Sequence, residues 1–76
     1  MESIRPSDIS DQSPYYLTDT ANYVVGHRER GLPGIAAEGV LITSQHGKLD
    51  AARSSRKALA RSSSGEKLVV FQVDRG

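Results

Sequence analysis

Two apolar, β-branched segments decide the fold of this chain: Gly39-Val40-Leu41-Ile42-Thr43-Ser44 and Lys67-Leu68-Val69-Val70-Phe71-Gln72-Val73. Residues of these types are enriched in β-strands. Between them, from about Lys48 to Ser62, small and apolar residues recur with the spacing of a helix. The sequence therefore predicts a strand over Glu38–Ser44, a helix, and a second strand over Lys67–Val73.

The lengths of these segments agree with a compact strand–helix–strand unit. Strands of this length span about 23 Å, and the helix spans about 21 Å. The helix can thus return the chain across one face of a sheet, so that the second strand runs parallel to the first through a right-handed crossover. The predicted fold class is α+β, with a small sheet of three or four strands and one main helix packed on one face.

The predicted helix has two unlike faces. The face expected to be buried consists mainly of small residues: Ala51, Ala52, Ser55, Ala58 and Leu59. The opposite face carries Arg53, Lys57 and Arg61 at intervals of four residues, with Arg56 beside them. Because small side chains bury little apolar area, the two strands must supply most of the core.

Both strands are apolar on both of their faces, although one helix covers only one face. In the last strand, Leu68 and Val70 point one way, while Val69, Phe71 and Val73 point the other way. Strands of this kind are typical of inner positions or of sheets covered by a second subunit. We therefore expect a homo-oligomer or a state stabilised by a partner.

The first half of the chain is less clearly patterned. Residues 1–14 are polar, with isolated Ile4 and Ile9. They are interpreted as an N-terminal arm, flexible or docked on the surface, that precedes a single small domain over residues 15–76.

Residues 15–31 allow two structures. In a hairpin, Tyr15–Thr18 pairs with Tyr23–Gly26, and this extended structure is favoured by the aromatic and β-branched residues.

The alternative for residues 15–31 is a helix. Thr18 would be its N-cap and Gly31 its stop signal. In either structure, residues 31–37 form a turn, since Pro33 fixes its own φ and Gly34 suits the next position of a type II turn.

Composition restricts the class of protein. The chain has 76 residues, a net charge of +1 and no cysteine, which excludes disulfides and thiolate metal sites. His27 and His46 lack the spacing of metal ligands, so we predict no metal and no cofactor. No segment is long and apolar enough to cross a bilayer, and no signal-peptide region is visible. A cytoplasmic protein without membrane contact is expected.

Charge is distributed unevenly along the chain. Residues 1–44 carry more acidic than basic side chains, and residues 45–76 carry more basic than acidic ones. Such a distribution can steer an acidic partner towards the basic half. It is equally explained if the acidic half folds over the basic half and neutralises it.

Catalytic motifs are not visible. Ser44, His46 and Asp50 have the residue types of a catalytic triad, but their spacing does not establish a nucleophile, a base and an orienting group. No Gly-rich phosphate loop occurs. We therefore predict that the protein is not an enzyme.

The basic helix face is the strongest candidate for a binding site. Arginine side chains grip carboxylates and phosphates with two parallel hydrogen bonds. The predicted contact residues are Arg53, Arg56, Lys57 and Arg61, with Arg28 and Arg30 as a second candidate. The leading hypothesis is a small binding protein, of the regulator or inhibitor type found among phage and bacterial accessory proteins, that docks on an acidic protein surface. The alternatives are nucleic-acid binding through the same helix, a self-associating assembly protein, and a solvated helix face without a role.

Overall fold

The structure is a computed structural model that describes residues 1–10, 13, 16–29, 39–62 and 67–76. Its strands are β1 (Glu2–Ile4), β2 (Tyr23–Glu29), β3 (Gly39–His46) and β4 (Val69–Val73), its helix is α1 (Leu49–Ser62), and Pro6–Asp8 form a 3-10 turn. The predicted α+β class is confirmed. Within the described ranges, no helix combines the length and apolar character needed to cross a bilayer.

The four strands form one mixed sheet in the order β1-β4-β2-β3. β2 is antiparallel to both β3 and β4, and β1 is parallel to β4. β3 and β4 therefore run in the same direction, as predicted, but β2 lies between them. The central position of β2 suits its sequence, because Val24 and Val25 are fully buried on opposite faces.

The prediction for residues 15–31 is partly confirmed. The extended structure over β2 is confirmed, and the helical alternative is wrong. The predicted hairpin is also wrong, because β2 pairs with β3 and β4, and residues 16–18 form no strand. Tyr15 and the predicted turn at residues 31–37 lie outside the described residues. Pairing with two long apolar strands buries more of β2 than the short segment at 16–18 would.

Helix α1 covers one face of the sheet. Val25, Ala52 and Leu68 form the buried cluster on this side, and Leu59 and Val70 pack against it. The buried face of the helix is narrower than predicted. Ala51 and Ala58, both expected on that face, are exposed. The side of the helix that packs on the sheet is the one that carries Ala52, Ser55 and Leu59.

The opposite face of the sheet is covered by the N-terminal segment. Its buried cluster consists of Ile4, Val24, Val40, Ile42 and Phe71. Ile9 and Leu17 pack against this cluster. The polar segment predicted as an arm is thus docked, and its residues Glu2–Ile4 form an edge strand of the sheet. Since the chain covers its own second face, that face gives no reason to expect a second subunit.

The N-terminal segment also follows the outer edge of β3. Ile9 forms an isolated parallel bridge with Val40, and the Ser10 amide donates to the Val40 carbonyl at 3.0 Å. Further along, the Gln45 side chain accepts from the Thr18 amide and donates to the Tyr16 carbonyl, both at 2.8 Å. This edge of the sheet is therefore occupied by the chain itself.

Two glycines permit close approaches in the sheet. At Gly26 the register between β2 and β3 shifts, and a Cβ atom there would overlap the carbonyl oxygen of Leu41. At Gly39 a Cβ atom would lie 2.9 Å from both Cα and N of Ser10. Because these neighbours are backbone atoms, larger residues at either position require the backbone to move.

Candidate functional site

A groove of about 360 Å³ lies between helix α1 and strand β4. One wall is formed by the side chains of Arg53, Arg56 and Lys57, and the floor is formed by Leu68, Val69 and Val70. We call this feature the basic groove. It combines positive charge with an apolar floor at one place on the surface.

The helix brings the three cations together. Residues separated by three or four positions are neighbours on a helix surface, and Arg53, Arg56 and Lys57 have this spacing. Burial of Ala52 against the sheet fixes the rotation of the helix and turns these cations towards β4. Arg56 is half-buried, while Arg53 and Lys57 are exposed. A half-buried arginine covers apolar surface with its stem and still presents its charged end to a ligand.

No acidic side chain of the described residues forms an ion pair with the cations of the basic groove. The ion pair of the described residues, between Arg28 and Glu2, lies elsewhere. Three cations on neighbouring turns of one helix, beside an apolar floor, attract an anionic group. Carboxylates suit this environment because arginine binds them with paired hydrogen bonds.

The structure brings together three of the six predicted contact residues. Arg61 is exposed near the end of α1 and does not line the groove. Arg28 lies on the other face of the sheet, where its guanidinium is 5.6 Å from the ring centre of Phe71 and contacts Glu2. Arg28 is therefore engaged within the fold. Arg30 lies outside the described residues.

Sequence reasoning did not identify the floor of the groove. Leu68, Val69 and Val70 were interpreted as core residues, and the groove lies where they reach the edge of the sheet. The available signal was the apolar character of the last strand on both faces. That signal indicates apolar surface in need of a cover, but it does not specify which cover.

The polar residues considered for catalysis form a structural link. Ser44 Oγ lies 2.8 Å from His46 Nε2 and 2.9 Å from Ser55 Oγ, which connects β3 to α1. Within the described ranges, Asp50 is not bonded to His46, so this group lacks the orienting carboxylate of a triad. The same ranges contain no group of three His, Cys, Asp or Glu side chains that would hold a metal ion.

No protein-family model, curated protein or solved structure matches this chain. The geometry of the basic groove is therefore the basis on which a function is proposed.

Proposed function

We propose that this protein is a non-enzymatic binding protein, of the regulator or inhibitor type, that docks on an acidic protein partner through the basic groove. The observation that supports this proposal is the convergence of Arg53, Arg56 and Lys57 on an apolar floor, with no acidic side chain of the described residues paired to them. Arginines beside apolar pockets are frequent anchors of protein–protein interfaces.

An acidic protein suits the groove better than a nucleic acid does. The floor of Leu68, Val69 and Val70 offers apolar contact to a side chain, whereas single-stranded nucleic acids are bound mainly by aromatic stacking beside positive charge. Among the residues that the structure describes, no aromatic side chain lines the groove. The net charge of +1 is also small for a protein that binds a phosphate backbone.

The first test uses a fluorescent peptide of alternating Glu and Val, with a Gln and Val peptide as the uncharged control. We expect the Glu peptide to bind at low salt and the Gln peptide to bind at least about tenfold more weakly, because charged hydrogen bonds are the stronger ones. Fluorescence anisotropy measures both affinities. Absence of binding by the Glu peptide, or equal binding of the two peptides, contradicts the proposal.

The second test locates the binding surface. The variant Arg53→Glu/Lys57→Glu reverses two charges in the groove, and Lys48→Glu/Arg61→Glu reverses two exposed charges outside it. We expect only the groove variant to lose affinity for the Glu peptide, by about tenfold or more. Equal losses would assign the binding to overall charge. Tighter binding of duplex DNA than of the peptide, with a steep salt dependence, would assign the groove to nucleic acid.

A further inference from the structure

We infer that the ligand of the basic groove is an extended segment of the partner protein, with alternating acidic and apolar residues, which adds to the open edge of β4 as a further strand. This inference rests on the proposed function and specifies the form of the partner. Strand addition of this kind takes affinity from backbone hydrogen bonds and specificity from alternate side chains.

The edge of β4 is open beside the groove. On one side, Val69 and Val70 pair with Gly26 and Val25 of β2. On the other side, β1 pairs only with Phe71–Val73. No strand of the described residues pairs with Val69 or Val70 on that side. In the described part of the chain, the first part of β4 therefore has one paired edge and one edge without a partner strand.

The backbone of Val70 points to the unpaired side. The Val73 amide donates to the carbonyl of Asn22, just before β2, at 2.9 Å. The next amide, that of Asp74, donates to the carbonyl of Ile4 in β1 at 2.8 Å. Backbone groups of successive residues in a strand alternate between the two neighbouring strands. Counting back from Asp74, the amide of Val70 faces the side of β1, just before the paired stretch begins.

The groove lies at this edge and not over the middle of the sheet. Val69 packs with the cluster under the N-terminal segment, and Val70 packs with the cluster under the helix. These two residues belong to opposite faces, yet both line the groove, and no residue of β1 or β2 does. A groove lined by two neighbouring residues of β4 that belong to opposite faces, and by no residue of β1 or β2, lies at the edge of β4 that β1 leaves uncovered.

The cations determine which strand can occupy this edge. Charged side chains near an edge are a common protection against pairing with another copy of the same sheet. A second copy of this chain would bring its own Arg53, Arg56 and Lys57 to the contact, and the like charges would repel. An acidic strand is attracted instead.

The pleat of an added strand then specifies the pattern of the partner. Successive side chains of a strand point to opposite faces. In the added strand, the side chains on the side of α1 face the three cations, and we therefore expect them to be acidic. Those on the other side lie next to Val69 and are apolar. The predicted ligand is therefore a short extended segment in which Glu or Asp alternates with Val, Ile or a similar residue.

N-methylation of the probe peptide tests the strand geometry directly. The Glu and Val peptide is prepared in two forms, one N-methylated at its Glu residues and one at its Val residues. In an added strand, the amides of one set face β4 and those of the other set face water. We expect one form to lose affinity by about tenfold or more and the other to bind like the parent peptide.

Hydrogen exchange of the protein provides the second measurement. The parent peptide should slow exchange of the Val70 amide, while the Tyr23 amide in the inner strand serves as the reference. If both N-methylated forms bind as tightly as the parent peptide and exchange at Val70 is unchanged, the strand addition is overturned. The proposed function then remains intact. If no acidic probe binds, the proposed function fails as well. Slower exchange at Val70 that depends on protein concentration, without peptide, would assign the edge to a second copy and overturn the inference.

Discussion

The two outer regions of the sheet differ in how they are covered. Along β3, the N-terminal segment supplies a bridge at Ile9, a backbone hydrogen bond at Ser10, and two hydrogen bonds through Gln45. Along β4, strand β1 covers only the last part, and the first part borders the basic groove. One edge is thus occupied by the chain itself, and the other combines positive charge with backbone that no described strand pairs.

This difference shows how a short chain completes its core. A domain of this size buries a smaller fraction of its surface on folding than a larger domain does, so each segment has to cover apolar area. The N-terminal segment covers one sheet face and the β3 edge, and α1 covers the other face. No further segment of the described chain covers the start of β4. The edge that remains open is the one at which we propose a partner.

The largest expected effect concerns the sheet face that the N-terminal segment covers. Phe71 is fully buried in the cluster beneath the N-terminal segment. We expect Phe71→Ala to lower the free energy of unfolding by about 3–5 kcal/mol because it leaves a large cavity. Leu59→Ala, at a half-buried position on the sheet side of helix α1, should cost clearly less. Urea denaturation measures both free energies of unfolding. Equal losses would contradict the expectation that the face under the N-terminal segment contributes more to stability than the face under α1.

A second substitution opens the covered edge. Gly39→Ala places a methyl group 2.9 Å from the backbone of Ser10, and we expect it to lower the free energy of unfolding by about 1–3 kcal/mol. Hydrogen exchange of the Ser10 amide should accelerate with it. Gly47→Ala is the matched control, because its Cβ would lie 3.8 Å from the nearest atom, the Thr20 carbonyl. A Gly39→Ala variant as stable as this control would show that the edge is loosely packed.

A third substitution separates the two hydrogen bonds of Gln45. Gln45→Ala removes both the bond from the Thr18 amide and the bond to the Tyr16 carbonyl. Since these bonds are exposed, a loss of about 1 kcal/mol in the free energy of unfolding is expected. Gln45→Glu retains only the acceptor and should fall between Ala and the native protein. If Glu and Ala variants unfold alike, the Thr18 bond contributes nothing measurable.

The smallest effect is expected at the partly covered edge. Glu2 of β1 pairs with Arg28, and both side chains are about half exposed, at 45% and 54%. We expect Glu2→Gln to lower the free energy of unfolding by less than about 1 kcal/mol, and we expect the difference to shrink as salt is added. Thermal unfolding at low and high salt measures this. A loss independent of salt would mean that packing, and not charge, holds β1 in place.

The prediction from sequence was accurate where the signal is local. Helix α1 was predicted to begin at about Lys48 and begins at Leu49, and its end at Ser62 agrees. The strands β3 and β4 were each predicted within about two residues of their observed ends. The clustering of Arg53, Arg56 and Lys57 follows from helical spacing alone.

Prediction was inaccurate where distant segments meet. The sequence of β2 favours a strand, but the hairpin with residues 15–18 was wrong because pairing partners are selected by total burial and not by proximity in the chain. The docking of Ile4 and Ile9 was also not specified, since two isolated apolar residues in a polar segment show no periodicity.

By itself, the sequence determined the strand–helix–strand unit and the cationic face of its helix, because both arise from side-chain periodicity within a few turns or pleats. Only the tertiary structure decided that β2 occupies the centre of the sheet and that the N-terminal segment covers one face and one edge. It also decided that no further described strand pairs with the start of β4 beside the three cations. Those outcomes depend on competition among non-local contacts for a limited apolar surface, which local patterns do not encode.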